Sequence, residues 1–228
     1  MYFDNAPPEA RSLRELPLLI LVGLTGTGKS SLLRALGYPT LPERRALVDR
    51  YIVPRYGAQL PLERSQRFAL TRRFREEHPG GVAEVLAQGK TNPIWPLLFD
   101  GLRGGSEVAY ALEHLPHARF VVLEAHPALR LHRLIGRQED FDRERPGEEP
   151  LEELASGILD PDELAQLLGR CSEEELRAKL RIVREEGRSY DPQKVRTLLE
   201  ASPRALFLDT GRLSLEEEVA RIREWIDA

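Results

Sequence analysis

The chain has 228 residues, with 33 Lys and Arg against 37 Asp and Glu, a formal net charge of −4, 41 % hydrophobic and 31 % charged residues. That balance excludes a disordered tail and a fibre, and with so few aromatics it argues against nucleic-acid binding. The single cysteine, Cys171, excludes an internal disulfide framework and a multi-cysteine zinc site.

In chain order, residues 1–15 read as a loose N-terminal arm, because two prolines and an acid stand where a signal peptide has basic residues. The longest apolar stretch, Leu16–Leu24, is about half of what a bilayer span needs, so a cytoplasmic location is expected. Within it Leu18–Val22 predicts a strand buried on both faces. A glycine-rich turn follows, then a helix over Ser30–Leu36 that stops at Gly37. Ala46–Val53 predicts a second strand carrying Asp49, a candidate base or acceptor-positioning group. Pro61–Glu77 is helical and rich in arginine (Arg64, Arg67, Arg72, Arg73, Arg75), and His78-Pro-Gly-Gly81 breaks it. Leu97–Phe99 predicts a strand ending in Asp100, and Ser106 the cap of the helix after it. Arg119–Glu124 predicts the next strand, and Pro127 opens a helix running to Arg137.

Segment 138–204 changes character. Residues 139–163 hold 11 acidic and 2 basic side chains, and helical pattern follows, with start signals at Asp160-Pro161, Ser172-to-Glu175 and Asp191-Pro192. Leu206–Asp209 predicts a final strand, and Ser214 opens an amphipathic last helix. Strands alternating with helices predict a parallel α/β sheet. The whole chain then reads as one domain, with a core of 16–137 and 205–228 and a helical insertion or lid over 138–204.

Chemistry enters at Gly23-Leu-Thr-Gly-Thr-Gly-Lys-Ser30, a full G-x-x-x-x-G-K-[ST] (Walker A) motif after a buried strand and before a helix. Its small residues let backbone N–H groups converge on a phosphate, and the helix N-terminus adds partial positive charge. Gly23, Thr25, Gly26, Thr27, Gly28, Lys29, Ser30 and Ser31 are the expected binding residues for ATP. Lys29, one of only four lysines, is expected to bridge β- and γ-phosphates, and the Ser30 hydroxyl to ligate Mg²⁺. Asp100 supplies the second metal-site oxygen, directly or through water, or orients the attacking group.

The residues after Asp100 narrow the branch. Gly101 stands where a motor ATPase has its water-polarising Glu, Arg103 stands where a GTPase has glycine, and no N-K-x-D occurs. A phosphotransferase needs cations around the moving phosphoryl group and exclusion of water. Arg130, Arg133 and Arg137 share one face of their helix, unless that face is simply a solvated one. The Arg64–Arg75 helix is a candidate for holding an acceptor phosphate. The five histidines lack metal-ligand spacing, Trp95 and Trp225 read as packing residues, and Cys171 reads as structural.

Gly23–Ser30, Phe99-Asp-Gly-Leu-Arg103 with Glu107 and Val108, the strand Phe120–Leu123, Arg130–Arg137 and the tail Phe207-Leu-Asp-Thr-Gly together resemble the P-loop nucleotide-kinase superfamily. Within it they are most similar to the dephospho-coenzyme-A-kinase-like branch and its uncharacterised P-loop ATPase relatives. The resemblance covers 16–137 and 205–227. It implies a three-layer α/β/α fold with five parallel strands in order 2-3-1-4-5, acceptor-binding helices between the first strands and a lid after the fourth. It also implies that Arg133 and Arg137 are lid arginines and that Arg103 clamps acceptor or donor phosphates. The expected activity is Mg-ATP-dependent transfer to a nucleotide or other small phosphorylated acceptor. The competing expectation is a slow regulatory ATPase that uses its acidic insertion to hold a protein partner. A homodimer is compatible with either, and neither expects nucleic acid or membrane as partner.

Overall fold

The computed structural model describes residues 1–3, 5–136 and 149–228; Asp4, residues 137–148 and the side chain of Arg64 lie outside it. Strands β1 (Arg11–Ser12), β2 (Leu18–Val22), β3 (Lys90–Thr91), β4 (Leu98–Leu102), β5 (Ala118–Glu124) and β6 (Ala205–Asp209) alternate with helices. The main sheet has the order β4-β2-β5-β6, and all its pairs are parallel. β1 and β3 form a separate antiparallel ribbon.

Parallel strands covered on both sides must be apolar on both sides, and β2 is buried at all five positions. Alternate residues feed two layers. Leu18, Ile20 and Val22 join Phe99, Phe120 and Val122 beneath α4 (Gly81–Ala87), α5 (Gly105–His114) and α10 (Pro192–Glu200). Leu19, Leu21, Val121 and Leu208 pack instead on α1 (Lys29–Leu36) and α11 (Leu215–Asp227). The result is a three-layer α/β/α architecture.

Two expectations about this sheet are corrected. Among the described residues it has four strands, not five, because Ala46–Val53 is helical: α2 (Arg44–Leu47) continues through a π turn and a 3₁₀ turn to Tyr56. The buried positions Leu47, Val48, Ile52 and Val53 recur at helical spacing, and Arg50 would have fallen on the buried face of a strand. The order 2-3-1-4-5 accordingly becomes 3-1-4-5. All that remains of the outer strand is one parallel bridge, Thr40 to Leu98. The helix after β4 is also capped by Gly104, with Ser106 already inside it.

The N-terminal segment, read as loose, is packed. Leu13 is fully buried, Tyr2 bridges to Lys90, and the Phe3 and Tyr51 rings meet at 3.9 Å. The segment read as an insertion divides into parts. α7 (Leu151–Ala155), α8 (Pro161–Leu168) and α9 (Glu173–Tyr190) build a third core with Leu131 and Leu134 of α6 (Pro127–Leu134). Val195 and Leu199 of α10 belong to the main core. Among the described residues no helix is long and apolar enough to cross a membrane.

Candidate functional site

Residues 23–30 turn from the end of β2 into α1, and two glycines make that turn possible. Gly26 has φ 85° with Arg130 O only 2.8 Å from where a Cβ would sit, and Gly28 has φ 98°. Gly28 caps α1 without any side-chain hydrogen bond, so the cap residue covers none of the first helical amides with a side chain. They open on a cleft of about 820 Å³ lined by Thr25, Gly26, Gly28, Lys29, Ser30 and Ser31 on one side. Thr27 is buried behind them, its hydroxyl donating to Leu24 O at 2.9 Å.

The Lys29 ammonium donates to Gly23 O at 2.7 Å and Leu24 O at 2.9 Å, which ties it to its own loop. Its pKa is lowered from 10.5 to about 7, by burial first and then by Arg103, while Glu186 and Asp100 act in the opposite sense. The cation is therefore held ready for an anion at a cost that an anion would relieve.

Asp100, Arg103, Arg133 and Arg44 line other parts of the same cleft. Asp100 lies inside β4, where the pairing with β2 slips by one residue: Ile20 faces Phe99 but Val22 faces Leu102. Such a bulge re-aims a side chain, and here Asp100 is half-exposed between buried neighbours. Gly101 is required beside it, since a Cβ there would lie 2.2 Å from the Phe99 ring. The Gly101 carbonyl accepts from Arg44 Nη1 at 2.7 Å, and Arg44 also forms a two-pronged pair with the buried Glu107, 2.7 Å on each prong. Arg133 reaches from α6 to Gly26 O (3.3 Å), Thr210 Oγ1 (2.8 Å) and Thr210 O (2.6 Å), joining the phosphate loop to the loop after β6.

The structure thus brings Lys29, Ser30, Asp100, Arg103 and Arg133 to one cleft. Arg137 lies outside the described residues. Asp49 does not line the cleft; it accepts from Arg67 Nε at 2.6 Å. Ser30 and Asp100 offer a hydroxyl and a carboxylate, and no group of three or more His, Cys, Asp or Glu converges among the described residues. That donor set fits Mg²⁺, which takes few protein oxygens and completes its shell with water and phosphate.

No motif singles out Glu186 on α9. Its side chain is 1 % exposed and accepts from Thr25 N (2.8 Å), Thr25 Oγ1 (2.5 Å), Arg103 Nη1 (2.7 Å) and Arg130 Nη2 (3.0 Å). Burial pushes its pKa up, but Arg103, the Thr25 hydrogen bonds and Arg130 outweigh that and hold it below the usual carboxylate range. Arg130, placed on the ligand face by its spacing, instead braces the loop, donating to Thr25 O at 2.8 Å. The Tyr190 ring is approached by Arg44 and Arg103 of the cleft and by Arg75 of α3 (Arg64–Glu77), at 5.8, 5.9 and 4.9 Å to its centroid.

Arg75 and Arg72 line a second cavity of about 460 Å³ together with Arg188, Lys194, Ser106 and Tyr190. Two further arginines of α3 point elsewhere: Arg67 to Asp49, and Arg73 to Glu77 at 3.3 Å.

No protein-family model and no curated protein sequence matches the chain. Among solved structures it is similar to shikimate kinase from Bacteroides thetaiotaomicron, with 17 % identity, 93 % of this chain and 99 % of that chain covered, and a TM-score of 0.48. It is similar to shikimate kinase from Acinetobacter baumannii in complex with shikimate, at 18 % identity, 94 % of each chain and a TM-score of 0.46. Deoxyadenosine kinase from M. mycoides with bound dCTP is another, at 13 % identity, 92 % and 98 % coverage and a TM-score of 0.41.

Proposed function

We propose that this chain is a phosphotransferase that moves the terminal phosphoryl group of Mg-ATP to a small phosphorylated acceptor. One observation carries the reading: a single cleft gathers the uncapped start of α1, Lys29, the Ser30 hydroxyl, Asp100, Arg103 and Arg133 from separate parts of the chain. The triphosphate would lie along residues 26–31. Leu213 and Leu215, which line the cleft beside Thr210, offer an apolar face to the base.

In the transfer, an acceptor oxygen bonds to the γ-phosphorus as the bond to the β–γ bridging oxygen breaks, leaving ADP. Lys29 neutralises charge across that bridge, and Arg103 and Arg133 stabilise charge as it spreads over the equatorial oxygens. Ser30 and Asp100 would hold Mg²⁺, which supplies Lewis-acid neutralisation of the phosphates when bound. The acceptor's own anion has a place in the second cavity. There Arg72, Arg75, Arg188 and Lys194 outnumber Glu76, Glu107 and Asp191. Of those acids, Glu107 is already engaged by Arg44 and Asp191 caps α10.

Incubation with Mg-ATP and a panel of nucleoside monophosphates, nucleosides and dephospho-coenzyme A, with ADP formation measured, tests this. Turnover stimulated by one phosphorylated acceptor and weakened by Arg75→Ala is expected. ADP formation indifferent to every acceptor would replace the reading with that of an ATPase.

A pH signature arises from Lys29. With a pKa near 7 in the free protein, the lysine is largely neutral at pH 8.5, and a bound triphosphate restores its charge. Nucleotide binding at pH 8.5 is therefore expected to take up about one proton, and much less at pH 6. Calorimetry in two buffers of different ionisation enthalpy reads this directly. Equal uptake in wild type and Lys29→Ala would show that another group is responsible.

A further inference from the structure

Glu186 has two connections that a structural carboxylate does not need. It belongs to α9, which follows the acidic segment, yet it receives both the backbone N–H and the hydroxyl of Thr25 in the phosphate loop, 161 residues away. It also holds Arg103 and Arg130, so both carboxylate oxygens are filled by donors from three different elements. A carboxylate withdrawn from water is costly unless satisfied in this way. Glu186 does not line the cleft, whereas Thr25 and Arg103 do, so it cannot act on a ligand except through them.

Arg103 is held by that arrangement at one prong. One terminal nitrogen is fixed on Glu186, while Nε is buried without a hydrogen-bond partner among the described residues. Arg103 lines the same cleft as Lys29, the residue expected between the β- and γ-phosphates, and after burial it does most to lower that ammonium's pKa. A guanidinium fixed at one prong by a buried carboxylate keeps its planar fork in one orientation.

We propose that Glu186 is a positioning residue of the nucleotide site: it fixes Thr25 of the phosphate loop and aims Arg103 at the terminal phosphate of a bound triphosphate. α9 is then a working part of the site and not a cover hung outside it. This inference rests on the nucleotide-binding reading above and adds to it a specific selectivity for the third phosphate.

The test is the affinity of Mg-AMP-PNP and of Mg-ADP, measured by calorimetry for wild type, Glu186→Gln, Arg103→Met and the double variant. Glu186→Gln keeps the shape but removes the charge that orients Arg103. Each single variant is expected to lose about tenfold or more in affinity for Mg-AMP-PNP and less than about threefold for Mg-ADP. The double variant is expected to be no more than about twofold worse than Glu186→Gln alone, since the contribution of Arg103 is already lost once Glu186 no longer aims it.

Equal losses for both nucleotides, or losses that multiply in the double variant, would overturn the inference and leave Glu186 a fold-holding residue. Wild-type protein that binds neither nucleotide would overturn the phosphotransfer reading itself, and this inference with it. Should Glu186→Gln fail to fold by circular dichroism, Glu186→Asp takes its place and is read the same way. That variant keeps the charge but shortens the reach to Arg103 by one methylene.

Discussion

Lys29→Ala is expected to weaken Mg-ATP binding roughly a hundredfold without lowering the thermal stability of the free protein at pH 7.5. Charge-assisted hydrogen bonds are worth about 1.5–3 kcal/mol, and a loss of about 3 kcal/mol corresponds to that factor. The free protein behaves differently because its lysine is not paired with an acid among the described residues. It donates to two loop carbonyls, Gly23 O and Leu24 O, and its pKa near 7 shows that burial disfavours the charged form. The sign comes from linkage. Between about pH 7 and the unfolded lysine pKa of 10.5, the unfolded chain holds the proton that the folded chain has shed. Stability therefore rises with pH across that window through this group, and the rise is absent in the alanine variant. Equilibrium urea unfolding at pH 7 and pH 9.5, paired with calorimetric ATP titration, measures both halves. A variant that binds Mg-ATP within threefold of wild type would show that the loop is not a triphosphate site.

Asp100→Asn is expected to reduce turnover roughly a hundredfold or more while leaving affinity for metal-free ADP within a few-fold. The residue sits at the bulge of β4, half-exposed to the cleft among buried neighbours. An amide of the same size should keep that backbone but lose the negative oxygen proposed to hold Mg²⁺. A second consequence runs through Lys29, whose pKa Asp100 helps to raise. With that charge gone the lysine falls further, so proton uptake on nucleotide binding at pH 7 grows in the variant. Mg²⁺ titration of turnover and calorimetry at pH 7 check the two effects. Unchanged Mg²⁺ dependence would reassign Asp100 to orienting the acceptor.

The phosphate loop and its flanking strand were legible because both rest on local patterns: a fixed spacing of small residues and an unbroken apolar run over Leu18–Val22. The helix starts at Asp160 and Ser214 were legible for the same reason, as was the cap at Ser172, which accepts from Glu175 N. Ala46–Val53 misled because β-branched residues suggested a strand, while their spacing put Leu47, Val48 and Ile52 on one helical face. Glu186 was out of reach of motif reading, since a lone glutamate in an arginine- and glutamate-rich helix reads as surface. One signal did exist. Leu176, Leu180 and Val183 form the apolar stripe of α9, and Glu186 and Tyr190 continue it at three- and four-residue steps, so a charge stands where burial was due. The second cavity needed coordinates, because Arg72 and Arg75 are indistinguishable from Arg67 and Arg73 until their partners are seen.

The hydrogen bonds from Thr25 to Glu186 also set a schedule. Chains emerge from the ribosome N-terminus first at about 5–20 residues per second, so the 161 residues between these partners take roughly 10–30 s to appear. During that interval β2, α1 and the phosphate loop exist without the carboxylate that will fix Thr25, and Arg103 and Arg130 emerge before their shared acid. The proposed nucleotide site would therefore be finished by one of the last helices to be synthesised, and a nascent chain arrested before residue 173 carries the whole Walker motif without Glu186.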